Sequence, residues 1–390
     1  MNIAILIPSL VTGGAERAAI TLGEYYHGKG HNVYYFLFMD NRKPFYKVNG
    51  KVVRTYLFFP FSDDLSIRDN ERELFFSAFT LRQLKKQYKI DISVSFMEGW
   101  NFLNACARCH DKIILSVRTV LSERTEGRIS FIYKREWIKK LYNKADAVVA
   151  VSEYVKDDLI KEYGLKKKKV IAIPNISRIY PLIDNKRKWN YGNKVIVTIG
   201  RMDVVKAQER IIRSFSVLHK KDKDTRLVII GDGKQMGFLM QVRNSLGLEE
   251  AVLLPGTESD IGFYLKNARA FVLASQVEGF PNVIAEAMAY GVPIITTDSP
   301  GGCGEIVGKE RSSNELQLCK YGMLTPYIKG NATIGEDISR EERILGEAMM
   351  KIIEDNDLYK KYADMSLKRA NDYSEENVMC KWEKVCALKD

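Results

Sequence analysis

The sequence contains no hydrophobic run long enough to cross a bilayer. No apolar stretch reaches about 18 residues, the length that a spanning helix needs, so we expect no membrane-spanning segment. The chain opens on a short apolar stretch, residues 1–8, without the basic start and long apolar core of a signal peptide. We interpret this stretch as a first β-strand, and we expect the protein to stay in the cytoplasm.

Cysteine is scarce as well, with six in 390 residues, which is too few for a disulfide framework. The run Cys106-Ala-Arg-Cys109-His110 matches the pattern for covalent haem, but that attachment belongs to exported proteins, so we interpret it as a chance match. The other cysteines provide no second pair at zinc spacing. Two D-x-D runs, 222–224 and 355–357, precede predicted elements instead of following a buried strand. We therefore expect solvated acids there, no metal and no cofactor.

Basic charge is in excess, and it is unevenly placed. The net charge is +11, and residues 1–185 hold 30 Lys and Arg against 20 Asp and Glu. Residues 186–390 are nearly balanced, at 30 against 29. The first half therefore predicts an anionic partner, namely a membrane surface, a lipid phosphate or nucleic acid. Because that half has no recognisable nucleic-acid-binding motif, we expect no nucleic acid. A non-catalytic nucleic-acid-binding protein remains an alternative.

Strand-like and helix-like segments alternate along the chain, which predicts α/β domains with doubly wound parallel sheets. In the first half the predicted strands are 3–8, 33–39, 52–59, 92–96, 113–117, 147–151 and 170–175. In the second half they are 194–200, 226–230, 251–256, 270–274 and 292–297. A chain of this length is too long for one ordinary core, and residues 177–193 are polar and aperiodic. We predict domains at 1–180 and 181–370, and a final helix, 371–390, that packs back on the first domain.

Two segments of the first half have the periodicity of amphipathic helices. The segment 71–88 predicts a helix whose inward face holds Leu74, Phe75, Phe79, Leu81 and Leu84. The segment 128–144 has apolar residues at helical spacing and a basic opposite face. It is either an ordinary surface helix or a helix that lies on a membrane surface. The second interpretation uses Phe131, Tyr133 and Trp137 beside Lys134, Arg135, Lys139 and Lys140.

Two acids mark the most informative stretch, residues 270–297. Glu278 follows a predicted strand, and Glu286 lies inside a predicted helix among small apolar residues. The helix begins beside Gly279 and Pro281, and its amino end favours a phosphate. Carboxylates accept hydrogen bonds from sugar hydroxyls, so the combination indicates a nucleotide-sugar site at the sheet edge where α/β folds bind ligands. A structural interpretation is also open, with Glu278 as a helix cap and Glu286 bonded to nearby backbone.

Two cations follow another strand end of the second half. Arg201, directly after Gly200, and Lys206 suit a diphosphate, because one offers a planar fork of donors and the other a point charge. In the first half, Gly13-Gly14 ends a strand and opens a helix, which lets the backbone approach a ligand. Each of these features is also compatible with an ordinary surface position or turn.

Taken together, these motifs resemble the retaining glycosyltransferases of family four, which have the GT-B fold of two Rossmann-like domains facing a central cleft. The strongest part of the resemblance is E-G-F-P-N-V-I-A-E-A-M-A-Y-G-V-P, from Glu278 to Pro293. Supporting parts are Gly13-Gly14, Ile173-Pro174-Asn175, Gly200-Arg201 with Lys206, Gly231-Asp-Gly233 and Gly301-Gly302. The match covers nearly the whole chain.

The resemblance implies a role for each matching position. Arg201 and Lys206 hold the donor diphosphate, Glu278 binds donor-sugar hydroxyls, and Glu286 binds the ribose. Further donor-binding positions are Gly14, Gly200, Gly231, Gly279, Phe280, Pro281, Asn282 and Val283, the last four through backbone groups. The chain departs from the family twice. Ala207 stands where glycine is frequent, and Arg118 stands where many members carry a histidine near the reacting sugar, so that role either falls to Arg118, our candidate, or is absent from this chain.

The expected activity is transfer of a hexose or N-acetylhexosamine from a nucleotide sugar, UDP-linked, to a saccharide acceptor. The basic first half favours an acceptor at the inner face of the cell membrane, such as a polyprenyl-diphosphate-linked saccharide in surface-polysaccharide assembly. A nucleotide-sugar epimerase on the same fold is the enzymatic alternative.

Overall fold

The computed structural model describes residues 1–11, 13–38, 47–55, 67–123, 134–177, 179, 188–312 and 314–387, with the side chains of 38 and 67–75 left aside. The chain divides into two compact units. Unit 1 comprises Met1–Asn175 together with Glu376–Asp390, and unit 2 comprises Ile176–Glu375. The first division therefore falls at Asn175, where we had expected residue 180. The second falls at Glu375, where we had expected residue 370.

Unit 1 has a parallel sheet that holds seven strands among the described residues. They are β1 (Asn2–Ile7), β2 (Asn32–Phe38), β3 (Lys51–Thr55), β4 (Ile92–Phe96), β5 (Lys112–Val117), β6 (Ala147–Ala150) and β7 (Val170–Ala172). The spatial order is β3-β2-β1-β4-β5-β6-β7. The direction of the strand order reverses between β1 and β4, which is the position where open α/β sheets bind ligands. Strands β4 and β5 are buried almost throughout, as their continuous apolar runs predict.

Helices cover the faces of this sheet. They are α1 (Gly14–Gly28), α2 (Ile67–Gln87), α3 (Glu98–Cys106), α4 (Arg135–Tyr142) and α5 (Glu153–Lys161). Between α3 and the sheet lies a buried polar network instead of a purely apolar core. The Lys85 ammonium lies 2.8 Å from the Asp111 carboxylate, and both side chains are fully buried. The Asn104 side chain accepts from both Lys85 and Ser93, which gives the buried ion pair the hydrogen bonds that it needs.

Unit 2 repeats the plan. Its strands are β8 (Val195–Ile199), β9 (Arg226–Ile230), β10 (Val252–Gly256), β11 (Ala270–Leu273), β12 (Ile294–Thr297), β13 (Gln317–Leu318) and β14 (Met323–Thr325). The spatial order among the described residues is β10-β9-β8-β11-β12-β14-β13, with only the β13–β14 pair antiparallel. The order reverses between β8 and β11.

The helices of unit 2 are α6 (Gln208–Lys221), α7 (Met236–Ser245), α8 (Ile261–Lys266), α9 (Asn282–Ala289), α10 (Gly302–Val307), α11 (Arg340–Glu354) and α12 (Asn356–Asp372). Helices α6 and α11 are joined by a buried ionic cluster, defined here as Arg210, Arg213 and Glu342. The Glu342 carboxylate lies 3.1 Å from Arg210 Nη1 and 2.6 Å from Arg213 Nε. The chain then returns to unit 1 in α13 (Glu375–Cys386).

Helix α13 is attached to unit 1 by apolar and polar contacts. The Trp382 ring is 4% exposed and lies 6.3 Å from the Phe96 ring at the end of β4. The Tyr25 hydroxyl donates to the Glu383 carboxylate at 2.7 Å, and the Lys112 ammonium donates to the Ala387 carbonyl. The last helix of the described chain is thus part of the first core.

Several details differ from the sequence-based expectations. Phe79 was predicted to face inward, which is wrong, because its side chain is 54% exposed. Leu81 is fully buried, as predicted, while Leu84 is half-buried. Strand β3 covers residues 52–55 of the predicted strand 52–59, and residues 56–59 lie outside the described residues. Of the predicted helix 128–144, residues 134–144 are described, and α4 lies among them. Phe131 and Tyr133 lie outside the described residues, as do the side chains of Leu74 and Phe75.

Candidate functional site

Two strand ends meet at the switch point of unit 2 and bring the predicted residues together. Gly200 directly follows β8, and its amide donates to the Ile230 carbonyl of β9 at 3.0 Å. Gly231 follows β9 with φ 138°, and a Cβ atom there would lie 2.0 Å from the Gly200 carbonyl oxygen. Only glycine permits this approach. The two glycines therefore set the shape of the edge on which the charged residues stand.

Lys206 and Glu278 form the centre of the candidate site. Lys206 ends a short 3-10 turn, Val204–Lys206, and its Nζ lies 2.5 Å from Glu278 Oε1. The two side chains are 21% and 13% exposed, so both are shielded but accessible. Burial disfavours the charged ammonium, but the Glu278 carboxylate outweighs this effect and raises the pKa of Lys206. Lys206 therefore carries a full positive charge at neutral pH.

Two neighbours that we did not predict from the sequence fix this pair. The Asp203 side chain accepts from the Lys206 amide at 3.3 Å and caps the turn. The Gln276 amide donates to the Val205 carbonyl at 2.7 Å, which joins the Lys206 turn to the loop that carries Glu278. The Gln276 side chain also accepts from the Tyr327 hydroxyl at 2.9 Å. Gln276 thus connects three loops at one edge of the sheet.

The backbone of Glu278 is held by the glycine pair Gly301-Gly302. The Glu278 amide donates to the Pro300 carbonyl at 3.1 Å, and its own carbonyl accepts from the Gly302 amide at 3.0 Å. Gly301 has φ 114°, and a Cβ atom there would lie 1.6 Å from the Glu278 carbonyl oxygen. A side chain at this position would push the carboxylate loop away from Lys206.

Helix α9 begins at Asn282, three residues after Gly279. Asn282 and Val283 form its first turn and are half-buried. Pro281 has no amide hydrogen, and the Asn282 amide donates to the Phe280 carbonyl at 3.0 Å. Pro281 and Asn282 are therefore excluded from the four predicted backbone donors. We retain the amides of Phe280 and Val283 as the donors to a phosphate. The Phe280 ring packs at 5.2 Å against Tyr373 and is part of the core.

The second acid, Glu286, lies in the middle of α9 and is 5% exposed. Its neighbours Ala285 and Ala287 are buried, so the acid stands on a helix that is fixed to the sheet. Arg201 behaves differently. Its side chain is 84% exposed and pairs with Asp203 at 2.9 Å, so the guanidinium extends into solvent from the end of β8.

Two predicted residues belong to unit 1. Gly14 is the first residue of α1 and follows Gly13, whose backbone is extended. Arg118 follows β5 and is half-buried, with its guanidinium 5.7 Å above the Phe96 ring. One Arg118 nitrogen contacts the Asn175 side-chain oxygen, and another lies 3.3 Å from Ser116 Oγ. Burial lowers the pKa of Arg118 to about 10, and the Glu98 carboxylate opposes this change.

The D-x-D acids have structural roles. Asp222 binds the Lys194 ammonium at 2.7 Å, which lowers the pKa of its carboxyl. Asp355 caps α12 by accepting from the Leu358 amide at 2.9 Å. Asp224, Asp355 and Asp357 are exposed, as expected of solvated acids, and Asp222 is half-buried. Across the described ranges, no group of three or more His, Cys, Asp or Glu side chains could hold a metal ion. Nor does any described helix have the length and apolar character to span a membrane.

Two protein families match the chain in consecutive ranges. Residues 12–176 match the profile described as Glycosyltransferase Family 4, and residues 180–314 match Glycosyl transferases group 1. An uncharacterised glycosyltransferase of Methanocaldococcus jannaschii is 31% identical over 291 residues, which are 70% of this chain and 71% of the relative. The chain belongs to the family-four glycosyltransferases. The resemblance inferred from the sequence motifs is thereby confirmed.

Two further relatives place this glycosyltransferase in context. The Campylobacter jejuni enzyme N-acetylgalactosamine-N,N'-diacetylbacillosaminyl-diphospho-undecaprenol 4-alpha-N-acetylgalactosaminyltransferase is 25% identical over 392 residues, covering 97% of each chain. The crystal structure of HepE from Anabaena in complex with UDP superimposes with a TM-score of 0.75 over all of both chains, at 17% identity. At that identity the likeness shows the fold, and with the two parallel-sheet units it confirms the GT-B class.

Proposed function

We propose that this glycosyltransferase moves a hexose or N-acetylhexosamine from a UDP-sugar to a lipid-linked saccharide in the assembly of a bacterial surface polysaccharide. The name of the Campylobacter relative, which acts on an undecaprenyl-diphosphate-linked saccharide, supports this acceptor class. The UDP in the HepE crystal structure supports the donor class.

The Lys206–Glu278 pair is the observation that carries the proposal. An ammonium and a carboxylate lie 2.5 Å apart at the sheet's switch point, beside the amino end of α9. A donor diphosphate is drawn to the Lys206 charge and to the helix amino end. The sugar hydroxyls then take the place of Lys206 as donors to Glu278. The exposed Arg201 side chain can turn from Asp203 toward the same diphosphate, and the buried Glu286 accepts from the ribose.

The chemistry rests on stabilising the leaving group. The bond between the anomeric carbon and the β-phosphate oxygen breaks, and negative charge grows on the departing UDP. Lys206, Arg201 and the α9 dipole offset this charge. The acceptor hydroxyl attacks the anomeric carbon from the same face and passes its proton to the leaving phosphate. This scheme retains the anomeric configuration and uses no enzymic nucleophile, and Arg118 takes the role of the family histidine toward the reacting sugar.

The proposed scheme draws its positive charge from side chains, so we expect no metal requirement. The rate of transfer should be unchanged after addition of EDTA and after addition of Mg²⁺ or Mn²⁺ to the chelated enzyme. A rate that falls with EDTA and returns with one divalent cation would contradict this part of the proposal.

The donor and the reaction class can be tested in sequence. A panel of UDP-, GDP- and ADP-sugars is first screened by thermal shift, with the largest stabilisation expected for a UDP-sugar. UDP release is then measured with and without polyprenyl-diphosphate-linked saccharides. The proposal predicts release that depends on the acceptor, with a product heavier by one sugar. An epimerase would instead release UDP and free sugar without an acceptor.

The basic surface of α4 supports an anionic membrane surface as a further partner. Lys134, Arg135, Lys139 and Lys140 are exposed, and the Trp137 ring is 41% exposed among them. The Lys140 ammonium lies 5.5 Å from the centre of that ring. A large aromatic side chain surrounded by cations is suited to the interface between lipid headgroups and water.

Vesicle flotation tests this surface. The wild-type protein should float with vesicles that contain anionic lipid at low salt, and a K139E/K140E variant should bind several-fold less. K220E/K221E is the matched control, because these lysines also form an exposed pair in the last turn of a helix, α6. Equal flotation of all three proteins would exclude α4 as the membrane contact. Absence of flotation of the wild type would exclude the membrane surface as a partner.

A further inference from the structure

The end of β4 has a strained backbone at the switch point of unit 1. Met97 has φ 74°, a left-handed conformation that is unfavourable for a residue with a Cβ atom. In the described residues only Lys89 and Ala207 share a positive φ without being glycine. Ala207 directly follows Lys206 of the candidate donor site. Strain of this kind persists at functional sites because the surrounding structure enforces it, which directs attention to the residue after Met97.

That residue, Glu98, is the first of α3, and it is 2% exposed. A carboxylate at this depth is destabilising unless nearby charges and dipoles compensate. The first turn of a helix supplies part of that compensation. The placement also parallels unit 2. Glu98 follows β4 and Glu278 follows β11, and each of these strands lies directly across the switch point from the first strand of its sheet.

Helix α3 holds Glu98 rigidly because it is bonded to two strands. The Asn101 amide donates to the Met97 carbonyl at 2.8 Å. The Asn101 side chain accepts from Ser95 Oγ of β4 at 2.8 Å and donates to the Ser116 carbonyl of β5 at 2.9 Å. Ser95, Asn101 and Ser116 are fully buried. The start of α3 therefore has a fixed position relative to the carboxyl end of β5.

Arg118 stands at that end of β5. Phe96 and Ser116 are opposite each other in the sheet, and Glu98 and Arg118 lie two residues beyond them. The guanidinium has the Phe96 ring below it, Ser116 Oγ beside it and the Asn175 side chain on another side. These three partners are uncharged. Glu98, which lies at the matching position beyond the neighbouring strand, opposes the lowering of the Arg118 pKa that burial causes.

We propose that Glu98 is a positioning residue, which keeps the Arg118 guanidinium charged and oriented at the carboxyl edge of the first sheet. This inference rests on the proposed function, in which Arg118 acts on the reacting sugar. A neutral neighbour of the same shape would leave a half-buried cation without an opposing charge, and the guanidinium would then lose its proton at a lower pH. Glu98 itself need not touch the substrate.

The first test uses activity. In E98Q, kcat at neutral pH should fall several-fold, because the Arg118 guanidinium loses the carboxylate that orients it, while KM for the donor stays within two-fold. The alkaline limb of the pH–rate profile should shift to lower pH. E98D should keep most of the wild-type kcat, and its alkaline limb should stay at the wild-type pH. R118A/E98Q should be no slower than R118A, because the two residues act as one unit. The proposal would be overturned if the kcat losses of R118A and E98Q were additive in the double variant. It would also be overturned if the alkaline limb of E98Q stayed at the wild-type pH.

The second test does not depend on transfer. Phenylglyoxal reacts with the uncharged form of arginine, so the labelling of Arg118 at pH 9, followed by peptide mass spectrometry, reports its proton loss. We expect labelling several-fold faster in E98Q than in the wild type, because a lower pKa of Arg118 leaves more of the guanidinium uncharged at pH 9. D158N is the matched control, because Asp158 is another buried carboxylate of unit 1, bonded to the Leu121 amide instead of Arg118. Equal labelling of Arg118 in E98Q and wild type would refute the pairing even if no transfer is ever found. Faster labelling without transfer would leave the pairing intact and reject the proposed function.

Discussion

Lys206 and Glu278 are 72 residues apart in the chain, and their side chains form one ion pair. The K206A variant should lose transfer by about 10² to 10³-fold in kcat, the usual effect of removing one group that stabilises a leaving charge. K309A is the matched control, because Lys309 pairs with Asp298 at 2.7 Å with a similar exposure of 28% and 16%. UDP release by both variants, with circular dichroism to check folding, measures the difference. Near-normal turnover by K206A would reject the phosphate role of Lys206.

At the residue scale, the sequence predicts charges that follow strands better than it predicts their partners. Glu278 and Lys206 could be predicted because parallel strands end at one edge of a sheet. Gln276 could not, since its partner Tyr327 belongs to a loop whose course no local pattern reveals. Glu98 was also missed. Its burial depends on how α3 packs, although its position directly after a predicted strand was available as a signal.

At the element scale, the packing of α6 against α11 depends on a buried charge. Glu342 is fully buried between two arginines, and removal of its charge would leave the buried Arg213 without its carboxylate partner and Arg210 paired with the more exposed Glu336, 3.4 Å away. Breaking a buried pair in this way costs about 3–5 kcal/mol. E342Q should therefore lower the free energy of unfolding of unit 2 by that amount in urea titrations at pH 7. E347Q is the control, because Glu347 lies on the same helix with an exposed side chain.

The same cluster predicts how stability depends on pH. Burial favours the protonated carboxyl, but Arg213 and Arg210 outweigh it, so the pKa of Glu342 lies below its ordinary value of 4.5. The stabilisation is therefore complete above pH 4.5 and is lost as pH falls through the lower folded-state pKa. Urea midpoints measured from pH 7 to pH 3 should decline more steeply for wild type than for E342Q. Parallel curves would mean that Glu342 is not the responsible group.

Elements were predicted well where a continuous apolar run or a clear helical period marks them. Helix α9 spans Asn282–Ala289, as predicted, because Pro281 and Gly291 bound it. The inward face of α2 was predicted less well. Phe79 is exposed although the periodicity favours burial, because a helical period gives the face but not the width of the covered stripe.

At the scale of the whole molecule, each unit contains a tryptophan whose replacement should destabilise that unit and leave the other unchanged. Trp382 lies in the core of unit 1, and W382A should destabilise that unit by about 3–5 kcal/mol. Hydrogen exchange followed by mass spectrometry should then show faster exchange in β1, β4 and β5, with peptides of unit 2 unchanged. W189A is the reciprocal control, since Trp189 packs at 5.5 Å against Phe263 of unit 2. Faster exchange throughout the chain in W382A would show that the units do not unfold independently.

The return of α13 to unit 1 also has a consequence in time. A ribosome makes residues 1–175 first, but the segment that completes their core, from Glu376 onward, emerges only after all of unit 2. Domains generally fold as units during synthesis, so the nascent first unit waits with the surface around Phe96 uncovered while the second unit matures. The domain that starts first is therefore finished last, and during that interval it is the part of the nascent chain most in need of a chaperone.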